Sequence, residues 1–511
     1  MAEDDLRVRR DIWALQPTAA EPWHPIVDAY ERAVAVMQED GAVPPKHWGW
    51  QAAIHGIPGG SNDPRLEQCQ HGTWYFLPWH RIYLANFEQA LREVIETLPD
   101  VSDEVKATWA LPYWNYHRPG ADSIPHPFRA RTRGNRRNFL FDPRPGGMPL
   151  SPGSLDTSSW LDVPLPFSGP LDGPFSTVTF GGEQTGFLHE ARGGGTGHLE
   201  FAPHNSVHGQ IGGNMGDPAT AGIDPLFWLH HANIDRLWEV WRTTPAGLGR
   251  DETSAAYLDL EFPFLETDGQ TTSPWTARQV VETAGLGYAY EDLSKPGARF
   301  VNGVPVPEAP EPEPGRGPGP FEEGVVVPEP SEPPVPPEGE GAPPRPLPLP
   351  EPRQVQRIGA LDRTLRLRDG EESRIEIPLE EAPVRAFEEG VADEAAAAEP
   401  PTRYFVRVDH FSVRGTSNRM YELYLDPDGE GTEVPRFVAV LSPFGAQRAE
   451  GADAEHGLSF TFEVTRIVED LARRGAWNPE LARVSLRLDG EPTEESPAPD
   501  VSIGSIDLFA G

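Results

Sequence analysis

The sequence predicts a multidomain protein: a mainly α-helical bundle with long loops, then a proline- and glutamate-rich linker, then an antiparallel β-sandwich domain. Three observations lead to this fold class. Apolar residues recur at helical spacing in the first 300 residues, prolines concentrate between 301 and 353, and apolar and polar residues alternate after that stretch. A chain of 511 residues is too long for one core, so we divide it into 1–300, 301–353 and 354–511.

Three long helices are predicted in the first part of the chain. Each has an apolar stripe at three-to-four spacing, and they cover Pro22 to Gln38, Trp79 to Ile95 and Phe227 to Trp241. Between Arg118 and Gly197 the sequence is rich in glycine and proline and has almost no periodicity. This composition predicts long irregular loops over a small helical core.

The second and third parts differ sharply in composition. About a third of the 58 prolines lie between Val301 and Arg353, in acidic strings that are typical of an extended, polyproline-like linker. Beyond the linker, alternating stretches such as RMYELYLD and ARVSLRLDG predict antiparallel strands, with one short helix at Ile467 to Arg474. We expect residues 380–402, an acidic and alanine-rich stretch, to be a flexible insertion.

Composition excludes several classes of partner and site. The net charge of −36, from 79 acidic and 43 basic residues, argues against nucleic acid and against an anionic membrane surface as partners. The single cysteine excludes an internal disulfide and a four-cysteine zinc site. The N-terminus lacks the apolar run of a secretory signal, and no segment approaches the roughly 18 apolar residues that span a bilayer. We therefore expect a cytoplasmic location, with export alongside a partner protein left open.

Histidines are concentrated before the linker, where 13 of the 15 occur. His204 and His208 are four residues apart, so on a helix their imidazoles project from the same face and can bind one ion. His230 and His231 are adjacent and point about 100° apart on a helix, so at most one of them is expected to face that centre. We choose His231, because it shares the apolar side of its helix.

A second group of histidines lies in the first hundred residues. His55, His71 and His80 each occur in an aromatic-rich segment that is expected to be buried. Buried neutral imidazoles need partners, and six of them without matching carboxylates indicate metal ions. Three neutral nitrogens per ion favour copper, but zinc also accepts three histidines, and spacing alone does not separate the two metals.

The order of these motifs resembles the type 3 copper proteins of the tyrosinase, catechol oxidase and polyphenol oxidase family. The resemblance covers about residues 7 to 292, and besides the first three histidines it rests on LPYWN at Leu111 to Asn115, HNSVH at His204 to His208 and DPLFWLHHANIDRLW at Asp224 to Trp238. It implies two copper ions as cofactors and dioxygen as co-substrate. The implied ligands are His55, His71 and His80 at the A site, and His204, His208 and His231 at the B site.

The resemblance also implies roles for residues around the ligands. Cys69 matches a cysteine that forms a thioether with the second A-site histidine in fungal tyrosinases and molluscan haemocyanins; the alternative is a buried, unmodified thiol. Glu200 and Asn205 match a pair proposed to hold a water that accepts a monophenol's proton; the alternative for Glu200 is a carboxylate that accepts backbone hydrogens. The other expected neighbours of the ligands are Asp235, Phe227 and His230.

A tyrosine motif is expected to close the core of the first domain. Tyr288 and Tyr290, in LGYAYEDL, match the family's motif, which usually packs against an arginine near the N-terminus. Arg9 and Arg10 both fit that role.

The implied activity is the oxidation of phenols by dioxygen. Monophenols would be hydroxylated at the ortho position, and o-diphenols would be oxidised to o-quinones. A catechol oxidase or o-aminophenol oxidase without monophenol hydroxylation is the alternative, and a haemocyanin-like dioxygen-binding protein or a zinc hydrolase is a weaker one. The expected partners are a small phenolic substrate and a copper chaperone. The natural phenol and the oligomeric state stay open.

The β domain looks like the C-terminal domain of plant-type polyphenol oxidases. In that family such a domain can cover the copper site and keep the enzyme latent until the linker is cut. We expect the same arrangement here, because an exposed acidic linker is long enough to allow docking and is easily cut. Phe444, in SPFGAQ, is the candidate for an aromatic side chain that plugs the pocket.

Overall fold

A computed structural model of the chain describes residues 6–15, 23–118, 120–121, 123–143, 165–170, 179–187, 196–296, 356–361, 363–367, 372–380, 402–414, 419–427, 434–448, 457–488 and 500–510. The predicted linker 301–353 lies outside these ranges, as does nearly all of the predicted flexible insertion 380–402. Within the described ranges, none of the helices has the length and apolar character needed to cross a membrane.

Helices build the part of the chain before the linker. The α-helices are α1 (Pro25–Met37), α2 (Trp48–His55), α3 (Phe76–Thr97), α4 (Asp103–Thr108), α5 (Ser206–Ile211), α6 (Pro225–Thr243) and α7 (Ala255–Leu258). A π-helical turn over Glu200–Asn205 leads directly into α5. Short 3-10 turns lie at His126–Phe128, Gly213–Gly216, Ala221–Ile223, Ala277–Val280 and Thr283–Leu286. The three predicted long helices are present as α1, α3 and α6, with ends that differ by at most three residues.

The helix starts follow from local chemistry. Asp224 caps α6, since its carboxylate accepts the Leu226 N–H at 2.8 Å, and Pro225 supplies the backbone angle favoured in a first turn. The helices then pack through large aromatic side chains. Phe87 of α3 stacks on Trp228 of α6 with ring centroids 3.4 Å apart, which fixes the two helices that carry His80 and His231.

Small two-stranded sheets surround the helices. β1 (Arg7–Arg9) pairs in parallel with β8 (Tyr288–Tyr290), so the start and the end of this part of the chain meet. The other pairs are β2 (Thr132–Arg133) with β3 (Arg136–Arg137), β4 (Ser168–Pro170) with β5 (Gly182–Gln184), and β6 (Glu261–Leu265) with β7 (Thr272–Thr276).

The C-terminal part is a β domain with one helix, α8 (Thr465–Arg473). Its strands are β9 (Gln356–Leu361), β10 (Leu365–Leu367), β11 (Ser373–Pro378), β12 (Tyr404–Arg414), β13 (Tyr421–Asp426), β14 (Arg436–Leu441), β15 (Gln447–Arg448), β16 (Leu458–Glu463), β17 (Leu481–Leu488), β18 (Asp500–Ile503) and β19 (Ser505–Ala510). One sheet has the order β10-β18-β12-β19-β9, with β15 and β16 also paired to β12, and the other has the order β11-β17-β13-β14. Apolar side chains of both sheets share one core.

Candidate metal centre

The first group of histidines comes together from three elements. His55 is the last residue of α2, His80 lies in the second turn of α3, and His71 lies in the loop that precedes α3. All three side chains are buried, and their ligand nitrogens lie within 4.8 Å of one another. These residues form the A-site group that the sequence predicted.

The second group contains four histidines instead of three. His204 and His208 come from the π-helical turn and α5, while His230 and His231 come from α6, and the ligand nitrogens of all four lie within 4.8 Å of one another. The structure thus brings both histidines of the adjacent pair to this group, where the sequence argument expected at most one of them to face the centre. The physical reason is that α6 passes beside the group, so two side chains about 100° apart both reach it from the helix surface.

The two groups face each other across one buried chamber. The rings of His80 and His231 stack with centroids 4.5 Å apart and an interplanar angle of 18°. His71 and His204 are 5.5 Å apart by the same measure. The fold thus brings all six predicted ligands together in one buried cluster.

Hydrogen bonds orient most of the imidazoles toward the chamber. In His55, His80 and His208, Nδ1 lies 2.7 to 2.8 Å from a backbone carbonyl oxygen, of Pro218, Phe76 and Met215 respectively. A proton on Nδ1 leaves the Nε2 lone pair for a metal ion. Nε2 of His80 and of His204 has no hydrogen-bond partner in the described ranges. This donor set fits two metal ions.

Burial keeps these imidazoles neutral, which is the form that binds a metal. Desolvation lowers the pKa of His80, His204, His208 and His231 well below the usual histidine value, and the neighbouring imidazoles lower it further. The site therefore presents neutral nitrogen ligands at physiological pH.

Cys69 lies beside the second A-site histidine. Its Sγ is 3.5 Å from Nδ1 of His71, and the side chain is fully buried. The thiol and the imidazole are therefore close enough to interact directly.

Glu200 and Asn205 lie on the π-helical turn at the edge of the B site. Glu200 Oε1 accepts the Gly72 N–H at 2.7 Å, and Asn205 Oδ1 lies 2.8 Å from Nδ1 of His204. Burial raises the pKa of Glu200 to about 8, although the Gly72 bond opposes this shift. Each side chain thus has a structural contact of its own: Glu200 is tied to the residue after His71, and Asn205 orients His204.

Asp235 is the centre of a buried charge network behind the B site. Its carboxylate binds Arg81 at 2.5 Å and Arg9 at 3.4 Å, and it accepts the hydroxyls of Tyr288 and Tyr290 at 2.6 Å. Burial alone would raise the pKa of Asp235, but the two guanidinium groups and the tyrosine hydroxyls outweigh it and hold that pKa below its usual value.

Of the two candidate arginines, Arg9 packs against the tyrosine motif. Arg9 stacks over the Tyr288 ring at 3.6 Å, whereas Arg10 pairs with Glu291 near the surface. Sequence analysis did not identify the other members of the network, Arg81, Glu88 and Glu239. The one feature of the sequence that could have pointed to this network is that Arg81 directly follows the predicted ligand His80.

The C-terminal domain reaches into the histidine chamber through one loop. The Phe444 ring is 1% exposed and stacks on His208 with centroids 4.0 Å apart. It also lies 5.4 Å from His204 and 5.6 Å from His71, so it contacts rings of both sites. Ser442, which sequence analysis missed, donates its hydroxyl hydrogen to the Asn205 carbonyl at 2.7 Å.

Aromatic packing extends this contact between the two domains. Phe201 of the π-helical turn lies 5.1 Å from Phe460 and 5.0 Å from Phe462 of β16. Phe405 and Phe509, also from the β domain, belong to the buried cluster of the helical part. The β domain therefore covers the face on which the B-site histidines lie.

Phe227 lies on the inner side of α6, as expected. Its ring centroid is 4.1 Å from His231 and 5.0 Å from His55, so it packs between predicted ligands of the two sites.

The arrangement as a whole is typical of proteins that bind two metal ions at one site. Two groups of buried neutral histidines face each other, packed helices hold them, and aromatic side chains close the site.

Comparison with known proteins identifies the family within this class. The family model described as the common central domain of tyrosinase matches residues 45–145 and 171–244, and a domain of unknown function (DUF7868) matches residues 354–511. The tyrosinase HcTyr1 of Hahella sp. (strain CCB-MM4) is 28% identical, over 94% of this chain and 96% of its own length. The chloroplastic polyphenol oxidase of Malus domestica is 29% identical, over 53% of this chain and 47% of its own length.

A solved structure shows the same fold over the whole chain. The structure of latent apple tyrosinase aligns with a TM-score of 0.56 at 19% identity, over 99% of this chain and 98% of that chain. The chain therefore contains the common central domain of tyrosinase, and over nearly its whole length it is similar to a tyrosinase. It is a dicopper oxidoreductase with a helical core and a C-terminal β domain.

Proposed function

We propose that this protein oxidises phenols with dioxygen, hydroxylating monophenols at the ortho position and converting o-diphenols to o-quinones, and that its C-terminal domain keeps it latent. The observation that carries this proposal is the pair of facing histidine groups with Phe444 stacked on His208. Such a site has ligands for two ions. The flat space beside His208, which would suit a phenol ring, is filled by the ring of Phe444.

The helices hold the ligands of each ion in place. His55, His71 and His80 would hold the A copper, and His204, His208 and His231 would hold the B copper. When bound, copper supplies the exchange of electrons between a phenol and dioxygen. The protein's own contribution is to fix imidazole orientation through the Nδ1 hydrogen bonds, and to exclude water by burial.

Latency follows from the position of Phe444 in this arrangement. A phenol ring that approaches the B site would need the space next to His204 and His208 that the Phe444 ring occupies. We propose domain boundaries at 1–300, 301–353 and 354–511, a sandwich of the two C-terminal sheets, and cleavage in the linker as the activating step. A cytoplasmic location and a copper chaperone as partner are further proposals.

The decisive experiment compares the full-length protein with a form cut by protease between residues 301 and 353 and freed of its C-terminal domain. Both are loaded with copper, and bound copper per chain and dioxygen consumption are measured with tyrosine and with catechol. We expect copper at both sites and rapid catechol oxidation after cleavage only. Copper binding without turnover in either form would favour a dioxygen-binding protein, and equal turnover in both forms would disprove latency.

Oxidation of o-diphenols or o-aminophenols without monophenol hydroxylation is the second candidate function. It is favoured by the contacts of Glu200 and Asn205, because Gly72 already engages Glu200 Oε1 and His204 Nδ1 already engages Asn205 Oδ1. These two oxygens therefore each accept one hydrogen already, and Oε2 of Glu200, which has no hydrogen-bond partner in the described part of the chain, is the atom left to hold a water for an incoming phenol.

Replacing Glu200 with glutamine separates the two candidates. If Glu200 promotes proton acceptance from a monophenol, the cleaved E200Q enzyme should lose about 100-fold in tyrosine hydroxylation, within the range that general-base catalysis contributes. Catechol oxidation should stay close to that of the unmodified enzyme, because the Gly72 N–H can still donate to the amide oxygen. If E200Q lost tyrosine hydroxylation and catechol oxidation to the same extent, Glu200 would have a structural role and no role in accepting the monophenol's proton.

Cys69 is proposed to form a thioether with His71. Formation of the thioether would break an S–H bond and an imidazole C–H bond and form a C–S bond, and dioxygen would take up the two electrons and two protons as hydrogen peroxide. We expect the intact mass of copper-loaded, oxygenated protein to fall by two hydrogen atoms and its denatured chain to resist thiol alkylation. The control is C69S, whose mass should not change, and a fully alkylatable Cys69 in the loaded protein would contradict the proposal.

Gly209 gives a way to loosen the domain contact at Ser442 while leaving the Phe444 side chain in place. A Cβ atom at this position would lie 2.6 Å from the Ser442 hydroxyl oxygen and 3.5 Å from Met420, so alanine would press the β domain away. We expect G209A to raise catechol oxidation by the full-length protein and to leave the cleaved enzyme unchanged. The matched control is G285A, because a Cβ there meets nothing within 4 Å. Unchanged latency in G209A would mean that the loop adjusts.

A further inference from the structure

His230 lies among the B-site ligands and has no assigned role. It is fully buried, and its ring centroid lies 4.7 Å from His208, 5.3 Å from His231 and 5.5 Å from His204. Its ring nitrogens make no well-formed hydrogen bond in the described part of the chain, and only the backbone of His204 comes within reach. Burying an imidazole in this way destabilises the folded chain, because its nitrogens lose their hydrogen bonds to water and gain none in return.

His230 and His231 differ from the anchored ligands in the same respect. Nδ1 of His208 is held by the Met215 carbonyl and Nδ1 of His204 by the Asn205 amide oxygen. Nδ1 of His231 has no hydrogen-bond partner among the described residues, like the nitrogens of His230. Nε2 of His231 does lie 3.1 Å from Nε2 of His208, so His231 already points its second nitrogen into the B group, whereas neither nitrogen of His230 is held in this way.

The two imidazoles also differ in which site they contact. His231 stacks on His80, so it lies between the A and B groups. The ring contacts of His230 with other histidines are all with members of the B group: His204, His208 and His231. An ion bound by His204, His208 and His230 would therefore lie on the side of the B group away from His80.

We propose that His230 is a reserve ligand of the B copper. It holds the ion together with His204 and His208 while the site is loaded, and it hands the ion to His231, which completes the pair with the A site. The exchange breaks one copper–nitrogen bond and forms another, with no change in electron count. The proposal rests on copper binding at the two histidine groups, and it explains why a histidine is buried where an apolar side chain would cost less.

The test measures bound copper in the full-length protein and its variants. Copper(I) is added anaerobically to metal-free protein, excess is removed with a chelator, and copper per chain is determined for the unmodified chain, H231A and H230Q/H231A. We expect H231A to keep its B copper and the double variant to lose it. Equal copper content in the two variants would overturn the proposal. If the unmodified chain bound no copper, the proposed function itself would fail.

A second measurement does not depend on removing His231. In H230Q the final copper content should equal that of the unmodified chain, but copper uptake should slow by about tenfold, at the lower end of the effects seen when groups around a metal site are removed. The control is H126Q, since His126 lies in a 3-10 turn outside both histidine groups. Identical uptake rates for H230Q and the unmodified chain would overturn the loading role, while thermal unfolding curves verify that each variant is folded.

Discussion

Replacing Phe444 with alanine in the full-length chain is expected to raise catechol oxidation by about tenfold or more. The ring is buried against His208, and burial of a phenylalanine side chain is worth about 1.5–3 kcal/mol. A tenfold change in an equilibrium constant corresponds to about 1.4 kcal/mol. Loss of the ring should therefore free the space that a phenol needs, and it should weaken the docking of the β domain on the helical part by a measurable amount. Initial rates of quinone formation in the uncleaved protein are the measurement.

The matched control for this variant is F437A. Phe437 lies on β14 of the same domain and packs on Tyr424, and it contributes no ring to the histidine chamber among the contacts described. F437A should stay as latent as the unmodified chain. If F444A also stayed latent while the cleaved protein turned over catechol, the block would lie in the rest of the domain contact and Phe444 would not be the plug.

The second large effect is expected on stability, from Asp235. In D235N the carboxylate charge is lost, and among the described residues the fully buried Arg9 and Arg81 keep Glu88 and Glu239 as ionic partners. Breaking a buried ion pair from one side costs about 3–5 kcal/mol. For a domain of this size we expect the melting temperature to fall by roughly 10 °C.

An exposed ion pair provides the control for Asp235. Asp259 pairs with Arg278 at 2.7 Å at the surface, so D259N should leave the melting temperature nearly unchanged. Because the pKa of Asp235 is held below its usual value, its contribution to stability is present at neutral pH and is lost only as the pH falls through that lowered pKa. A D235N protein as stable as D259N would show that the arginines find other partners.

Sequence reasoning was most successful where a periodic pattern coincided with a motif. The helices that carry His80 and His231 were predicted within three residues, because their apolar stripes are long and regular. Strands β9 to β11 were not individually predicted, although β9 and β11 have six residues each, as many as β13. The apolar and polar residues of SIGSIDLF alternate without a visible break, yet this stretch is divided at Gly504 into β18 and β19, where the Gly504 N–H donates to the Asp409 carbonyl.

By itself, the sequence determined the six candidate ligands, the likeness to type 3 copper proteins and the change from helices to strands. Residue type, spacing and order carry this information, because a helix face and a strand face repeat over a few residues. The tertiary structure decided that His230 joins the B group, that Arg9 and not Arg10 binds Asp235, and that Phe444 stacks on His208. These contacts join residues far apart in the chain, and only the packing of α6 and of the β domain against the site brings them together.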